Sequence, residues 1–311
     1  MHSPAITPDA HGPTPVFRDR KRMAWLFSVI GPALSTTGAV AHTLGATSLW
    51  WFGASTVLFY LIVPGIDWWL GEDLTNPPES AVPALEADAY YRRILYVTVP
   101  VLWVSVLINL VFLGTHDLPF APWLATVMAT GAVLGFGLNL SHELGHKTSW
   151  LPRKVALFNT ALGGYGHFSV EHNRGHHRHV STPEDPASSK LGESIYRFVL
   201  REMPGAFVRA WHLEIDRLQR RGMRTWHLEN EILQAGLVTV LLYGGLIIAL
   251  GIHMVPVLAL VAFWGAFQLT SANYIEHYGL QRRRLANGRY EVCQPHHSWN
   301  SNHLVSNLVV F

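Results

Sequence analysis

Residues 142–146 read HELGH and residues 171–177 read EHNRGHH, so five histidines lie close together in the chain. In each group two histidines are four residues apart, and on a continuous helix their imidazoles lie on one face and can share a metal ion. Imidazole suits zinc, copper, iron and nickel, and the lack of cysteine in both groups argues against an iron–sulfur centre or a thiolate zinc site. The two groups therefore predict a histidine-ligated metal site. Its first candidate ligands are His142, His146, His172, His176 and His177.

The composition around these groups is too apolar for an ordinary soluble domain. The chain has 311 residues, of which 49% are hydrophobic and only 14% charged, with 12 tryptophans. Such values are typical of a membrane protein. The net charge is only +2 and no base-stacking motif accompanies it, which argues against a nucleic-acid partner. The single cysteine, Cys293, excludes an internal disulfide framework.

Six apolar runs are long enough to cross a bilayer core, which takes about 20 helical residues. They cover about 23–44, 48–66, 94–114, 120–140, 232–251 and 255–274. The sequence therefore predicts an all-α membrane protein with six transmembrane helices and a cytoplasmic helical region that carries the histidine-rich metal site. Residues 1–22 begin with a proline-containing stretch and predict a disordered cytoplasmic tail, whereas 23–311 predict a single membrane domain.

Positive charge is confined to alternate connections between these runs. All 23 lysines and arginines lie in the N-terminal tail, in two of the five connections, or after the sixth run, and the connections at 45–47, 115–119 and 252–254 contain none. Because lysine and arginine stay on the cytoplasmic side in short loops, both termini are predicted to be cytoplasmic. The same orientation brings His277, which directly follows the sixth run, to the side of the other five histidines.

Six imidazoles exceed the four ligands of one tetrahedral zinc ion, so two metal ions fit better. Redox chemistry on an apolar substrate at a membrane face favours iron. Three acidic residues each adjoin a candidate ligand and are candidates to accept a hydrogen bond from an imidazole N–H. The alternative is that each is an acid exposed to solvent at a helix end, with no contact to an imidazole. These residues are Glu143, Glu171 and Glu276.

The HELGH segment also satisfies the H-E-x-x-H pattern of zinc metalloproteases, in which Glu143 would be the general base. Such an enzyme needs only one further ligand, typically an acid from a distant helix. An intramembrane protease would therefore leave His172, His176, His177 and His277 without a role. This alternative stays open but explains less of the sequence.

Three segments, HELGHK at 142–147, EHNRGHH at 171–177 and NYIEHYG at 273–279, resemble the histidine boxes of the integral-membrane alkane 1-monooxygenases, or alkane hydroxylases. This family belongs to the fatty acid desaturase-like membrane diiron superfamily. The similarity runs along nearly the whole chain. It includes GED at 71–73, NPPE at 76–79, GESIY at 192–196 and SWNSNH at 298–303. The resemblance implies two non-haem irons bound by His142, His146, His172, His176, His177 and His277.

The resemblance also implies an activity. Such an enzyme inserts one atom of O2 into the terminal methyl group of a medium-chain n-alkane and releases a 1-alkanol. Its electrons come from a reduced rubredoxin, which an NADH-dependent reductase supplies, and its expected location is the bacterial inner membrane. The residues alone do not separate this reaction from fatty acyl desaturation or hydroxylation, because hydroxylation and desaturation both can begin with hydrogen abstraction at an oxidised diiron centre.

The sequence departs from the family pattern at its end. The family has a last box of the form Leu-Gln-Arg-His-x-x-His-His after the Ser-Asn-Leu-Val segment, and this sequence stops at Phe311. The resemblance therefore leads us to expect a truncated sequence without three of the ligands.

Two further expectations concern the substrate and the electron donor. An alkane offers no polar group, so we expect an apolar channel between the helices, and Phe59, midway along the second run, is the candidate that limits chain length. Ordinary packing is the alternative. A basic group between the fourth and fifth runs is a candidate docking surface for an acidic donor, with contact to lipid headgroups as the alternative. It consists of Arg209, Arg217, Arg220, Arg221 and Arg224.

Overall fold

The computed structural model describes residues 17–73, 75 and 77–310. This part of the chain is nearly all helical and contains isolated β-bridges but no strand. The first sixteen residues of the predicted tail lie outside the described residues. The helices are α1 (Phe27–Leu34), α2 (Thr37–Thr43), α3 (Trp50–Leu70), α4 (Val82–Ala87), α5 (Ala89–Thr115), α6 (Phe120–Gly145), α7 (Trp150–Ala161), α8 (168–179), α9 (Ile195–Gln219), α10 (Glu231–Leu250), α11 (Met254–Glu276) and α12 (Leu304–Val310).

Five of these helices, α3, α5, α6, α10 and α11, are long and apolar enough to cross a membrane. α1 and α2 follow one another with a bend of 55° between them. Taken together they are also long and apolar enough to cross a membrane, which would make a sixth span. The predicted class of all-α membrane protein is confirmed.

The bend between α1 and α2 replaces the single helix predicted for 23–44. Pro32 lies inside α1 and has no N–H to donate, which weakens the helix at this point. Ser35, Thr36 and Thr37 follow, and each hydroxyl donates a hydrogen bond to the carbonyl three residues earlier, at 2.6–2.8 Å. Pro32 and Ala33 also accept from the N–H groups three residues later, at 3.2 and 3.1 Å, so carbonyls at the bend are satisfied without water, as an interruption inside a membrane requires.

The helices that carry the histidines pack against each other through glycines. A Cβ atom on Gly135 of α6 would lie 2.6 Å from the side chain of Gln268, and one on Gly265 of α11 would lie 2.6 Å from that of Leu134. Only glycine permits so close an approach, and small residues are a common means of helix association in membranes. Since α6 and α11 run in the same direction, their C-terminal ends lie at the same end of the bundle.

Both helices extend beyond the apolar runs that predict them. The fourth run was expected to end at residue 140 and the sixth at 274, whereas α6 ends at Gly145 and α11 at Glu276. The additional turn of α6 keeps His142 in helical geometry directly above the membrane segment. Hydropathy marks the part of a helix that contacts lipid, so it does not detect a helix end that contacts protein.

Residues 17–22, predicted to belong to a disordered tail, are packed against the start of α5. Asp19 accepts hydrogen bonds from the Trp25 indole at 2.9 Å and from the Tyr91 hydroxyl at 2.6 Å. Arg22 forms an ion pair with Asp88 at 2.5 Å. These contacts fix the segment next to the first span.

The last helix is attached to the end of α3. Asp67 is buried there, and its carboxylate accepts hydrogen bonds from the N–H groups of Val305 at 2.7 Å and Ser306 at 2.9 Å. An acidic side chain that accepts from free N–H groups at a helix N-terminus is a stabilising arrangement. It holds α12 against α1, α3 and α6.

Candidate metal centre

Four histidines converge where the end of α6 meets α8. Each of His142, His146, His172 and His177 has a ring nitrogen, and the four nitrogens lie within 4.8 Å of one another. The Nε2 atom of His177 is 2.9 Å from Nε2 of His172 and 3.2 Å from Nε2 of His146. Nitrogens directed at a common point from two helices could hold a metal ion, and no carboxylate belongs to this group.

The geometry of α8 decides which of its histidines join the group. Residues His172–His176 form a turn of π-helix, and the N–H of His177 donates to the carbonyl of His172, five residues earlier. The wider turn brings residues five apart to the same side, and such turns often occur at functional sites. His172 is therefore paired with His177, whereas the four-residue spacing in the sequence pairs it with His176.

His176 is directed toward the end of α11. Its ring lies 5.0 Å from the ring of His277 and 5.2 Å from that of His172, measured between centroids. Neither ring nitrogen of His277, which is buried, makes a hydrogen bond of normal geometry within the described chain. Buried polar atoms without a partner are rare and call for an explanation such as an ion. The six histidines singled out in the sequence thus form one connected cluster.

Burial keeps the central imidazoles in the form that binds metals. The pKa of His172 is well below its usual value because the ring is buried, and the neighbouring imidazoles lower it further. His177 is more exposed, and partial loss of its hydration together with the charges of His146 and His176 lowers its pKa to about 4. A neutral imidazole has a free lone pair, which a metal ion requires. At neutral pH these two rings are therefore ready to act as ligands.

Asp185 supports His176 from behind. Its Oδ2 lies 3.0 Å from Nδ1 of His176, so that Nε2 of the same ring remains for a metal ion. Burial opposes the protonation of His176, but the hydrogen bond and charge of Asp185 outweigh it and raise the pKa of the histidine. A carboxylate behind an imidazole is the usual arrangement at metal sites, because it fixes the orientation of the ring.

Arg209 of α9 holds this carboxylate in turn. It donates to Asp185 Oδ1 at 2.7 Å, forms a second ion pair with Glu171, and reaches the carbonyl of Glu184 at 3.0 Å. The sequence predicts that Arg209 belongs to a basic docking surface. In the structure its guanidinium group instead lies inside the protein, where it pairs with Glu171 and Asp185. No spacing in the sequence marks Asp185 or Arg209, because their role depends on how α9 packs against α8.

The three acidic residues expected near the imidazoles make other contacts. The closest approach of Glu143 to His142 is 4.0 Å, which is too long for a hydrogen bond. Glu171 pairs with Arg209, and Glu276 accepts a hydrogen bond from the hydroxyl of Ser298 at 3.0 Å. Among the described residues, the carboxylate within hydrogen-bond distance of an imidazole of the cluster is that of Asp185, at 3.0 Å from His176.

An apolar cavity of about 310 Å3 lies between α1, α3, α6, α11 and α12. Phe59 and Tyr60 of α3 line it together with Val133 and Phe136 of α6. Asn139 also lines it and is one helical turn from His142. The cavity therefore extends from the membrane-spanning part of the bundle toward the histidine cluster.

The fold and the cluster define an integral-membrane helical protein with a histidine-rich candidate metal site. The family model described as fatty acid desaturase matches residues 118–311. Alkane 1-monooxygenase 1 of Alcanivorax borkumensis is 50% identical over 293 residues, which are 94% of this chain and 72% of that protein. The alkane 1-monooxygenases of Ectopseudomonas oleovorans and Pseudomonas putida are each 46% identical over 300 residues, which are 96% of this chain and 74% of theirs. The chain belongs to the alkane 1-monooxygenases, an enzyme family within the fatty acid desaturases.

Proposed function

We propose that this protein hydroxylates the terminal methyl group of medium-chain n-alkanes to give 1-alkanols, with O2 and with electrons from a reduced rubredoxin. The observation that carries the proposal is the apolar cavity within the helix bundle, on the membrane side of the histidine cluster. Asn139, which lines it, is one helical turn before His142, and this supports a chain that is bound in the cavity with its end directed toward the candidate metal site. The family relatives that are named alkane 1-monooxygenases support the substrate class.

The residues present fit the pair of non-haem irons that the proposal requires. The cluster offers neutral imidazoles from α6 and α8, a carboxylate-supported ring at His176, and the unpartnered nitrogens of His277. Imidazole is a suitable ligand for iron, and bound iron supplies the redox chemistry that activates O2. The proposed ligands are His142, His146, His172, His176, His177 and His277.

Binding of the alkane follows from burial alone. Each CH2 group removed from water contributes about 0.8 kcal/mol, so an octyl chain needs an apolar surface and no ion pair. The cavity lining consists of apolar side chains with a few neutral polar ones, such as Tyr60, Asn139 and Gln268, and includes no charged residue among those described. This lining favours a hydrocarbon over a fatty acyl group with an ionised or phosphorylated end.

The zinc protease has less support. The four converging nitrogens belong to histidines only, whereas that class completes its site with a distant ligand that is typically acidic. Glu143, its would-be general base, lines a different pocket with Lys147 and Leu95. A base that faces another pocket is not placed to activate water at the histidine cluster.

Two measurements on the full-length protein test the function. Metal analysis of the purified protein is expected to find iron rather than zinc. With octane, O2 and reduced rubredoxin the expected product is 1-octanol, and omission of rubredoxin is expected to stop its formation. Desaturation of an acyl substrate without any 1-octanol would favour the desaturase alternative, and bound zinc with proteolysis would favour the protease.

We also propose that the protein lies in the bacterial inner membrane as one membrane domain, 23–311, with both termini in the cytoplasm. All 23 lysines and arginines lie at the two termini or in the two connections on the same side as the termini, which supports this orientation. A cysteine introduced as His253→Cys, next to the start of α11, should react with a membrane-impermeant thiol reagent in intact spheroplasts. Native Cys293, which is exposed, should react only after lysis. The reverse labelling pattern would show the opposite orientation.

Phe59 is predicted to limit the length of the alkane. Its ring lines the cavity opposite Gly31, with Cζ 3.9 Å from where a Cβ on that glycine would lie. Phe59→Val should lengthen the cavity and shift the preferred substrate to longer alkanes, with about fourfold in apparent affinity for each CH2 newly buried. Competition between alkanes of different length gives the measurement.

Phe52 provides the matched control for Phe59. It is on the same helix but packs against Ala39 and Phe112, away from the cavity. Phe52→Val should therefore lower stability and leave the chain-length preference unchanged. An unaltered preference in Phe59→Val would exclude Phe59 as the limiting residue.

A further inference from the structure

Glu202 of α9 is a buried acid outside the histidine cluster. It is only 3% exposed, yet it has no ion pair with an arginine or lysine within the described chain. The other buried acids nearby are paired with arginines: Asp185 and Glu171 with Arg209, and Glu214 with two arginines. A buried carboxylate without a cation is costly, so such a group tends to keep its proton.

The contacts of Glu202 are hydroxyl groups. Thr270 of α11 is fully buried, and its hydroxyl donates to Oε2 of Glu202 at 3.0 Å. The hydroxyl of Tyr165 lies beside Thr270 and is buried without a hydrogen bond of normal geometry within the described chain. An acid and two hydroxyls thus form a polar group within otherwise apolar packing.

This polar group lies near enough to the histidine cluster for the charges of His176, Glu171 and Asp185 to act on Glu202. The charged and titratable groups that face Glu202 are Glu171, Asp185, His176 and Tyr165. Thr270 is seven residues before His277, which directly follows α11, so the two are about 10 Å apart along the helix axis. Burial raises the pKa of Glu202 to about 7, the Thr270 hydrogen bond opposes that rise, and the charges of Glu171 and Asp185 add to it. Near neutral pH the carboxyl group can therefore both hold a proton and release it.

We propose that Glu202 supplies a proton to the reaction at the histidine cluster, with Thr270 and Tyr165 as the hydroxyls that connect it to the site. The inference rests on the proposed function. Insertion of one oxygen atom into a C–H bond reduces the other to water, which consumes two electrons from the donor and two protons. One of these protons leaves the Glu202 carboxyl and enters that water, and the other comes from solvent; the carboxylate then takes up a new proton from solvent.

The test is the substitution Glu202→Gln, which keeps the shape and the acceptor for Thr270 but has no acid proton. In infrared spectra of the metal-free protein, the C=O band of a protonated carboxylic acid should be present in the unaltered protein, decrease as the pH rises through about 7, and be lost in Glu202→Gln. In the iron-loaded protein, turnover should fall about 100-fold with unchanged iron content, the size expected for loss of a proton-transfer group.

The pH profile separates proton supply from a structural role. A group that must be protonated makes turnover fall as the pH rises above its pKa, and Glu202→Gln should lack this fall. Thr270→Ser keeps the hydroxyl and should retain activity, whereas Thr270→Val removes it and should lower turnover without loss of iron.

Two results would overturn the proposal: an acid band that is unchanged in Glu202→Gln, or a variant that keeps the normal rate and pH profile. If the unaltered iron-loaded protein forms no 1-octanol, the proposed function fails instead. The infrared comparison then still decides whether Glu202 carries a proton.

Discussion

His172→Ala is expected to abolish metal binding at the histidine cluster and hydroxylation with it. The Nε2 atom of His172 is 2.9 Å from that of His177, and the buried, neutral ring has no other evident role. Removing the hydrogen-bond partner of a metal-binding histidine lowers metal affinity roughly 10- to 100-fold. Removing the histidine itself should lower it further. Iron content after purification and the rate of 1-octanol formation are the measurements.

His212→Ala is the matched control, because His212 is an exposed histidine on α9 outside the cluster. It should bind iron and turn over normally. Since removal of a buried imidazole can also disturb packing, thermal unfolding of the metal-free His172→Ala protein must be compared with that of the unaltered protein. Normal iron content in His172→Ala would remove His172 from the ligand set.

Asp185→Asn should have the next largest effect. The change weakens the acceptor behind His176 and leaves Arg209 with one buried carboxylate fewer. Loss of one member of a buried ion pair costs about 3–5 kcal/mol in stability, and loss of the support behind a ligand roughly 10- to 100-fold in metal affinity. Both should be visible, as a lower unfolding temperature of the metal-free protein and as weaker iron binding in a competition with a chelator.

Glu184→Gln gives the control with the same change of charge at the neighbouring position. The Glu184 side chain is exposed and has no arginine partner among the described residues; it accepts a hydrogen bond from Tyr290 at 3.2 Å, while its backbone carbonyl accepts from Arg209. We expect little effect on stability or iron binding. Equal effects of both substitutions would mean that the position of the carboxylate behind His176 is unimportant.

The membrane helices were predictable because they depend on local properties of the chain. A run of about 20 apolar residues matches the thickness of the bilayer whatever surrounds it. Apolar runs predict α5, α6, α10 and α11 in this way, and the ends of the runs differ from the ends of the helices by a few residues. The break between α1 and α2 has a visible cause in Pro32, yet the apolar run continues through it, so hydropathy alone predicts one helix.

The candidate site was only partly predictable. Spacing identified five of the six histidines that the structure brings together, and the predicted membrane orientation added His277. The resemblance to alkane 1-monooxygenases led to the family that the relatives support. The pairing of His172 with His177 was not predictable, because it requires a π-turn and the sequence spacing favours a regular helix. The acidic neighbours of the histidines were selected for adjacency in the chain, but the supporting contact comes from Asp185.

By itself the sequence determined that this is a helical membrane protein, that its six candidate histidine ligands gather at one end of the bundle, and which family it belongs to. Only the tertiary structure decided which imidazoles face each other, that Asp185 and Arg209 stand behind His176, and that Glu202 is buried without a cation beside it. The physical reason is the range of the interactions. Hydropathy and helical periodicity act between near neighbours in the chain, whereas hydrogen bonds between α8, α9 and α11 exist only after these helices have packed together.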